Sequence, residues 1–170
     1  GCAGSMDSPL MTPNEIAHQV ADAGISVLLS LDTLIPASIG GIKELPACLR
    51  HLIAAGATDY IAPMTQHEFN IPGLKCHPCR ALVDSASARF SQREVAANDV
   101  MMVQYTGGTT GRPKGAELGI RSLMYNPQQI SAYAPWEVGK EVVATAFPMF
   151  HAAGLAFTIA AFRYGARMFL

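Results

Sequence analysis

The chain has 170 residues, of which 50% are hydrophobic and 15% charged, and its formal net charge is −1. This length is enough for one domain with a sizeable core. Because the lysine and arginine residues are few and scattered, the composition argues against a nucleic-acid-binding protein, which needs a concentrated basic patch.

Helices and buried strands alternate in the first third of the predicted structure. Residues 1–6 look like an expression scar, which leaves residues 7–170 as a single domain. The string TPNE at residues 12–15 predicts the capped start of a helix, and Gly24 predicts its end. The apolar run at residues 25–31 then predicts a strand buried on both faces. The helical spacing of apolar residues predicts a second helix from Pro46 to Gly56.

The middle of the chain is less regular, and its second half returns to alternating elements. Residues 59–63 predict a short strand, and residues 65–98 a long loop with a helical turn near residues 81–90. Residues 100–105 predict a strand, and residues 118–133 a helix that Pro127 kinks or restarts. A strand at 141–147, a buried helix at 152–162 and a strand at 166–170 are predicted after it. This order predicts an α/β fold whose sheet is mostly parallel, with helices on both faces.

One uncharged stretch, Val142–Phe162, reaches the length of a membrane span. Pro148, His151 and Gly154 interrupt it, so we interpret it as a buried strand, a turn and a buried helix, and we expect no transmembrane span. The four cysteines lack the pattern of a disulfide framework, which favours a reduced, cytoplasmic protein.

The most informative segment is YTGGTTGRPKG at Tyr105–Gly115, which follows a predicted strand. Its glycines allow positive φ angles and a close backbone approach, so that consecutive N–H groups can surround an anion. Its threonine hydroxyls and its lysine can donate further hydrogen bonds to phosphate oxygens. We therefore predict a polyphosphate-binding loop formed by Thr106, Gly107, Gly108, Thr109, Thr110, Gly111 and Lys114.

The spacing of this loop differs from the common P-loop pattern, because Lys114 is followed by Gly115 rather than by serine or threonine. The whole string instead resembles the phosphate-binding motif of the adenylate-forming enzymes, which include acyl-CoA synthetases, luciferases and the adenylation domains of peptide synthetases. The resemblance implies that the loop holds the β- and γ-phosphates of ATP, and that the chain is a partial N-terminal domain of such an enzyme.

A second motif, PMFHAAGL at residues 148–155, is similar to the PLFH-type motif of acyl-CoA synthetases. The resemblance implies that Phe150 packs near the acyl chain and that His151 lies near the reacting carboxylate as a candidate catalytic residue. Residues 7–24 also resemble a segment of long-chain fatty acyl-CoA ligases, which favours that branch of the family. The chain departs from the family at residues 119–122, which read GIRS where a T-H-R-[NS] segment is common.

The resemblance implies a two-step reaction with ATP, Mg²⁺ and CoA, in which a fatty acid forms an acyl-adenylate and then a CoA thioester. It also implies a much longer enzyme, of which residues 7–170 are a middle piece of the N-terminal domain. We therefore expect the isolated chain to be inactive, and its cut edges to expose apolar surface and promote self-association. We expect the enzyme in the cytoplasm, and long-chain acyl substrates make peripheral contact with the inner membrane surface plausible.

Two alternatives remain open. The first is a nucleotide- or phosphate-binding module that carries out no chemistry. The second is a redox or zinc module built on the C-x-x-C of residues 76–79, with His67 nearby. The segment that leads into this C-x-x-C is predicted as a loop, whereas a thioredoxin-like site needs a strand there. We assign no metal ligands in this chain.

Overall fold

The computed structural model describes residues 2–59, 61, 69–106 and 112–169. The chain divides into two compact units, which are Pro9–Gln92 and the combination of Gly1–Ser8 with Arg93–Leu170. Both units contain helices and mainly parallel strands, so the predicted α/β class is confirmed. In chain order the described strands and helices are β1 (Gly4–Ser5), α1 (Pro13–Asp22), β2 (Val27–Leu31), β3 (His51–Ala55), β4 (Lys75–Pro78), α2 (Cys79–Ser85), β5 (Val100–Thr106), β6 (Lys114–Gly119), α3 (Ile120–Tyr133), β7 (Val142–Ala144), α4 (Ala152–Tyr164) and β8 (Arg167–Phe169).

Helix α1 begins at the predicted capping box. The Thr12 N–H donates to Glu15 Oε2 at 2.7 Å, and the Glu15 N–H donates to Thr12 Oγ1 at 3.4 Å. Two backbone N–H groups at the start of the helix are thereby satisfied by side chains. The backbone hydrogen bond from Thr12, followed by the one from its hydroxyl, lowers the pKa of the Glu15 carboxyl. After the C-cap residue Ala23, Gly24 turns the chain with a φ of 63°, as the sequence predicts.

Strands β2, β3 and β4 form a parallel sheet in the unit Pro9–Gln92. Leu28 and Leu52 lie on the face that packs into the core, whose most buried side chains are Val20, Ile35, Ile39, Leu49 and Leu52. The opposite face of β2 is open, because Val27, Leu29 and Leu31 are 46%, 61% and 43% exposed. The prediction of a strand buried on both faces is therefore wrong for β2, which buries only one face in this chain.

Three other expectations for this unit are wrong. The segment predicted as a helix from Pro46 to Gly56 contains strand β3, because its apolar residues fit both periodicities and the pairing with two neighbouring strands decides the outcome. In the segment predicted as a strand, Asp59 and Ile61 lie in turns, and residues 60, 62 and 63 are outside the described part of the chain. The predicted long loop contains β4 and α2, of which only the helical turn was foreseen.

The other unit is built around β5. Strand β1 pairs with β5 in parallel, and β6 pairs with it antiparallel across the glycine loop. Residues 4–5, inside the segment interpreted as an expression scar, thus take part in a strand. Strands β7 and β8 form a separate parallel pair, and helices α3 and α4 pack against each other. The predicted strands and the helix after residue 140 are all present, with bounds that differ by up to three residues.

The segment after the glycine loop differs from the prediction that a helix is the next element. A strand, β6, precedes helix α3, so the loop joins two strands and does not lead directly into a helix. Gly115 and Gly119 explain the difference, because glycine disfavours a helix and the segment gains hydrogen bonds by pairing with β5. Helix α3 runs through Pro127 and does not restart there. Among the described residues, no helix combines the length and the apolar character that crossing a bilayer requires.

Candidate functional site

The base of the glycine loop is an antiparallel hairpin. Thr106 at the end of β5 lies directly opposite Lys114 at the start of β6. Side chains of directly opposed residues project from the same face of an antiparallel pair, so the side chains of Thr106 and Lys114 share one face, and both residues are exposed. The hairpin thus brings together two of the predicted phosphate-binding residues. The others lie outside the described residues, namely Gly107, Gly108, Thr109, Thr110 and Gly111.

Gly115, the next residue of β6, is required by close packing inside the hairpin. It lies opposite Tyr105, and a Cβ atom at position 115 would come within 2.6 Å of Val103 Cγ1 and 3.1 Å of the Tyr105 ring. The aromatic ring therefore covers the backbone of Gly115. This contact holds β6 against the strand that leads into the loop, on the face opposite to Thr106 and Lys114.

The second motif forms a tight turn followed by helix α4. The His151 N–H donates to the Pro148 carbonyl at 2.9 Å, which closes the turn. Gly154 lies against this turn so closely that a Cβ atom there would be 2.1 Å from Pro148 O and 2.7 Å from Phe147 O. A residue with any side chain would collide with the backbone at this position, so glycine is a structural requirement of the motif.

His151 is the N-cap of α4, and this role fixes the chemistry of its ring. The Ala153 N–H donates to His151 Nδ1 at 3.2 Å. Because a backbone N–H can only donate, Nδ1 must be the acceptor, and in the neutral ring the proton is carried by Nε2. The ring stacks on Phe147, with 6.0 Å between ring centroids and 19° between planes. His151 is exposed and can offer an Nε2–H donor to an anionic oxygen, whereas Phe150 is half-buried.

Gln104 connects the two motifs. Its Nε2 donates to the Phe150 carbonyl at 2.8 Å, across 46 positions of the sequence. Residues two apart along a strand share a face, so Gln104 projects from β5 on the same face as Thr106, and therefore on the same face as Lys114. The structure thus holds the turn that contains Phe150 and His151 on the face of the hairpin that carries the phosphate-binding side chains.

Sequence reasoning missed two residues of this site. Gln104 precedes the glycine loop in a strand and gives no local signal of a contact with residue 150. Gly154 lies within the second motif, and the motif itself was the signal that could have identified it. Both residues act on the backbone of the turn, and neither belongs to a residue type usually sought in an active site.

The alternative site around the C-x-x-C is arranged differently from a redox motif. The lead-in is irregular over residues 70–74, as predicted, and β4 begins only at residue 75. The motif itself spans a strand and a helix, because Cys76 lies within β4 and Cys79 is the first residue of α2. Cys76 packs against the core cluster, and both thiols are free. His77 Nε2 lies 3.0 Å from His51 Nδ1, so a hydrogen bond already engages it. In the ranges that the structure describes, which exclude His67, no three metal-ligating side chains are grouped to hold an ion.

Several known proteins are similar to this chain. The family model described as AMP-binding enzyme matches residues 1–170. The long-chain-fatty-acid–CoA ligase of Salmonella typhimurium is 32% identical over 159 residues, which cover 85% of this chain and 28% of that protein. The corresponding ligase of Bacillus subtilis is 29% identical over 169 residues, covering 87% of this chain and 29% of that protein.

The fold is also that of solved structures of this class. A long-chain-fatty-acid-CoA ligase from Archaeoglobus fulgidus superposes with a TM-score of 0.73, covering 95% of this chain and 29% of that one, at 21% sequence identity. At this identity the likeness shows the fold alone. The chain spans less than a third of the length of the relatives that it matches.

Proposed function

Because the chain belongs to the family of AMP-binding enzymes, we propose that the full-length protein is an ATP-dependent acid–thiol ligase acting on a fatty acid. The identity to long-chain-fatty-acid–CoA ligases supports this substrate class. The observation that carries the proposal is the shared face of the β5–β6 hairpin, where Thr106 and Lys114 lie side by side and Gln104 holds the Phe150–His151 turn.

The proposed reaction has two steps. The fatty acid carboxylate attacks the α-phosphorus of ATP, so a carbon–oxygen–phosphorus linkage forms, the bond to the β-phosphate oxygen breaks and pyrophosphate leaves. The thiol of CoA then loses its proton to solvent and attacks the acyl carbon; the acyl carbon–oxygen bond breaks, AMP leaves and the thioester remains. The leaving pyrophosphate carries a high negative charge, so catalysis depends on positioned hydrogen-bond donors and cations around it.

In this proposal the loop binds the tail of ATP and does not act as a nucleophile or a base. Thr106 and Lys114 are paired across the hairpin at its base, and the hydroxyl of the first and the ammonium of the second can both donate to phosphate oxygens. We assign Gly107, Gly108, Thr109, Thr110 and Gly111 to the same site on the basis of the sequence motif alone. The glycines would let the backbone approach the phosphates closely.

We assign Phe150 and His151 to the carboxylate side of the reaction. The Nδ1 atom of His151 is occupied by the Ala153 N–H, so only Nε2–H is available to the substrate. A neutral imidazole in this state is a hydrogen-bond donor and not a general base. We therefore propose that His151 orients the carboxylate or stabilises its charge, while the half-buried Phe150 contacts the acyl chain.

Part of the reaction has no counterpart in the described residues. Mg²⁺ prefers carboxylate and phosphate oxygens, and the described part of the chain groups no set of acidic side chains for it. We therefore derive no step through Mg²⁺, and we propose that the isolated 170-residue chain binds phosphate without forming acyl-CoA. If this chain forms detectable acyl-CoA from ATP, CoA and a fatty acid, the proposal that the isolated chain is inactive is wrong.

The role of Lys114 can be tested directly. We expect Lys114→Ala to weaken ATP or pyrophosphate binding by about 10- to 100-fold, because a charge-assisted hydrogen bond is lost. Isothermal titration of the isolated chain measures the binding, and fatty-acid-dependent ATP–pyrophosphate exchange by the full-length protein measures the reaction. The matched control is Lys43→Ala, because Lys43 is also an exposed lysine and belongs to the other unit. If the Lys114 variant binds ATP and pyrophosphate as tightly as wild type does, the assignment of this loop to phosphate binding is wrong.

The exposed apolar face of β2 supports a second proposal about the isolated chain. Val27, Leu29 and Leu31 line an open side of a parallel sheet, and such sheets are normally covered on both faces. We propose that the isolated chain self-associates through this face.

For the full-length protein we propose a cytoplasmic location with peripheral contact to the inner membrane surface, which cell fractionation would test.

A further inference from the structure

Gln104 is a buried polar side chain that uses only one half of its amide. Its side chain is buried in β5, with 8% of the residue exposed. Nε2 donates to Phe150 O at 2.8 Å and makes a longer contact of 3.5 Å with Tyr105 O. Both neighbours are carbonyl acceptors, so only the NH₂ group can face them and the orientation of the amide is fixed. Oε1 is buried and finds no hydrogen-bond partner within the described structure.

With one amide atom bonded and the other buried without a partner, Gln104 is not explained by a purely stabilising role. The stability gained from a neutral hydrogen bond is offset by the cost of a buried carbonyl oxygen without a partner. A methionine of similar length would fill the same space without burying any polar atom. Packing alone therefore does not explain an amide at this position, whereas its contact with the Phe150 carbonyl does.

We propose that Gln104 is a positioning residue that fixes the Phe150–His151 turn relative to the strand leading into the glycine loop. Gln104 lies two residues before Thr106 on the same face of β5. The carbonyl that it holds belongs to the peptide unit that leads directly into His151, the N-cap of α4. A single side chain thereby sets the distance between the two motifs that the site needs.

The catalytic consequence rests on the proposed ligase function. In that reaction the carboxylate near His151 must meet the α-phosphorus of an ATP whose tail is bound beyond Thr106. A displacement of about 1 Å between reacting groups can lower a rate by about 100-fold. Gln104 touches neither substrate in this arrangement, and it acts through the backbone of Phe150.

The first test measures the turn itself and does not depend on activity. In the isolated chain, Gln104→Met should raise hydrogen exchange at the His151 and Leu155 amides by about tenfold or more. These amides bond to Pro148 O and His151 O within the turn and the first turn of α4. The melting temperature should stay close to that of wild type. The control is Gln129→Met, an exposed glutamine on α3, and Gln104→Leu provides a second apolar variant. Unchanged exchange in both Gln104 variants would overturn the proposal.

The second test uses the full-length protein. Gln104→Met should lower kcat for fatty-acid-dependent ATP–pyrophosphate exchange by about 10- to 100-fold, with KM for ATP changed less than about twofold. A variant with wild-type kcat would refute the coupling between the motifs. If wild-type protein shows no exchange with any fatty acid, the ligase function fails, and hydrogen exchange still decides whether Gln104 positions the turn.

Discussion

Gly154→Ala is the substitution whose effect the structure predicts most directly. Position 154 is the third residue of α4, where alanine would normally stabilise a helix by about 1 kcal/mol relative to glycine. Here the new Cβ atom would be 2.1 Å from Pro148 O and 2.7 Å from Phe147 O. Both obstacles are backbone atoms, so no flexible side chain can move aside, and either the turn or the start of α4 must shift.

The steric cost exceeds the gain in helix propensity. Overpacking typically costs about 1–3 kcal/mol, and the upper end applies because the turn is closed by the hydrogen bond from His151 N to Pro148 O. Subtracting about 1 kcal/mol of propensity leaves a net loss of about 2 kcal/mol. For a chain of this size that corresponds to a melting temperature lower by about 4–8 °C.

Thermal unfolding followed by circular dichroism measures this difference. The matched control is Gly4→Ala in the same unit, where the nearest atom to a new Cβ is Met101 O at 4.0 Å. We expect the control to melt within about 2 °C of wild type, since it introduces no close contact. If Gly154→Ala melts at or above the wild-type temperature, helix propensity has decided the outcome and the steric argument is wrong.

Two further predictions concern charge and surface. Burial raises the pKa of Asp7 above its usual value, so the folded chain holds this proton more tightly than the unfolded chain, and stability falls as the pH rises through the folded-state pKa. Asp7→Asn should therefore raise stability towards urea at pH 7 and have little effect at pH 3; equal effects at both pH values would contradict this. Leu29→Lys should weaken self-association by about tenfold or more, measured by sedimentation, with the exposed Leu10→Lys as control; unchanged association would exclude the β2 face.

Features with a short sequence range were predicted well. The capping box at residues 12–15 and the glycine at position 24 are formed by neighbours in the chain, and both appear as the sequence indicates. Helix α4 was predicted at residues 152–162 and forms over Ala152–Tyr164, where the His151 cap sets its start and Gly165, with a φ of 61°, sets its end. Local hydrogen bonds and backbone preferences are properties of a few adjacent residues, so the sequence carries them directly.

Strand β3 shows where local reasoning failed. Leu49, Leu52 and Ile53 fit the spacing of a helix face, and the segment is too short for its period to decide between helix and strand. In the structure the residues of β3 alternate, with Leu52 and Ala54 buried against the core. The hydrogen bonds that make it a strand come from β2 and β4, more than 20 residues away on either side. That information is not present in the segment itself.

The same distinction explains which parts of the site were foreseen. Thr106 and Lys114 belong to one continuous motif, so their chemistry could be inferred, although the direct pairing across the hairpin could not. The contact between Gln104 and Phe150 spans 46 positions and uses a side-chain amide and a backbone carbonyl, neither of which leaves a pattern in the sequence. The motifs specify which groups take part, whereas in our proposal their relative position depends on this long-range hydrogen bond. Substitutions at Gln104 should therefore separate the geometry of the site from its composition, because they leave every residue of both motifs unchanged.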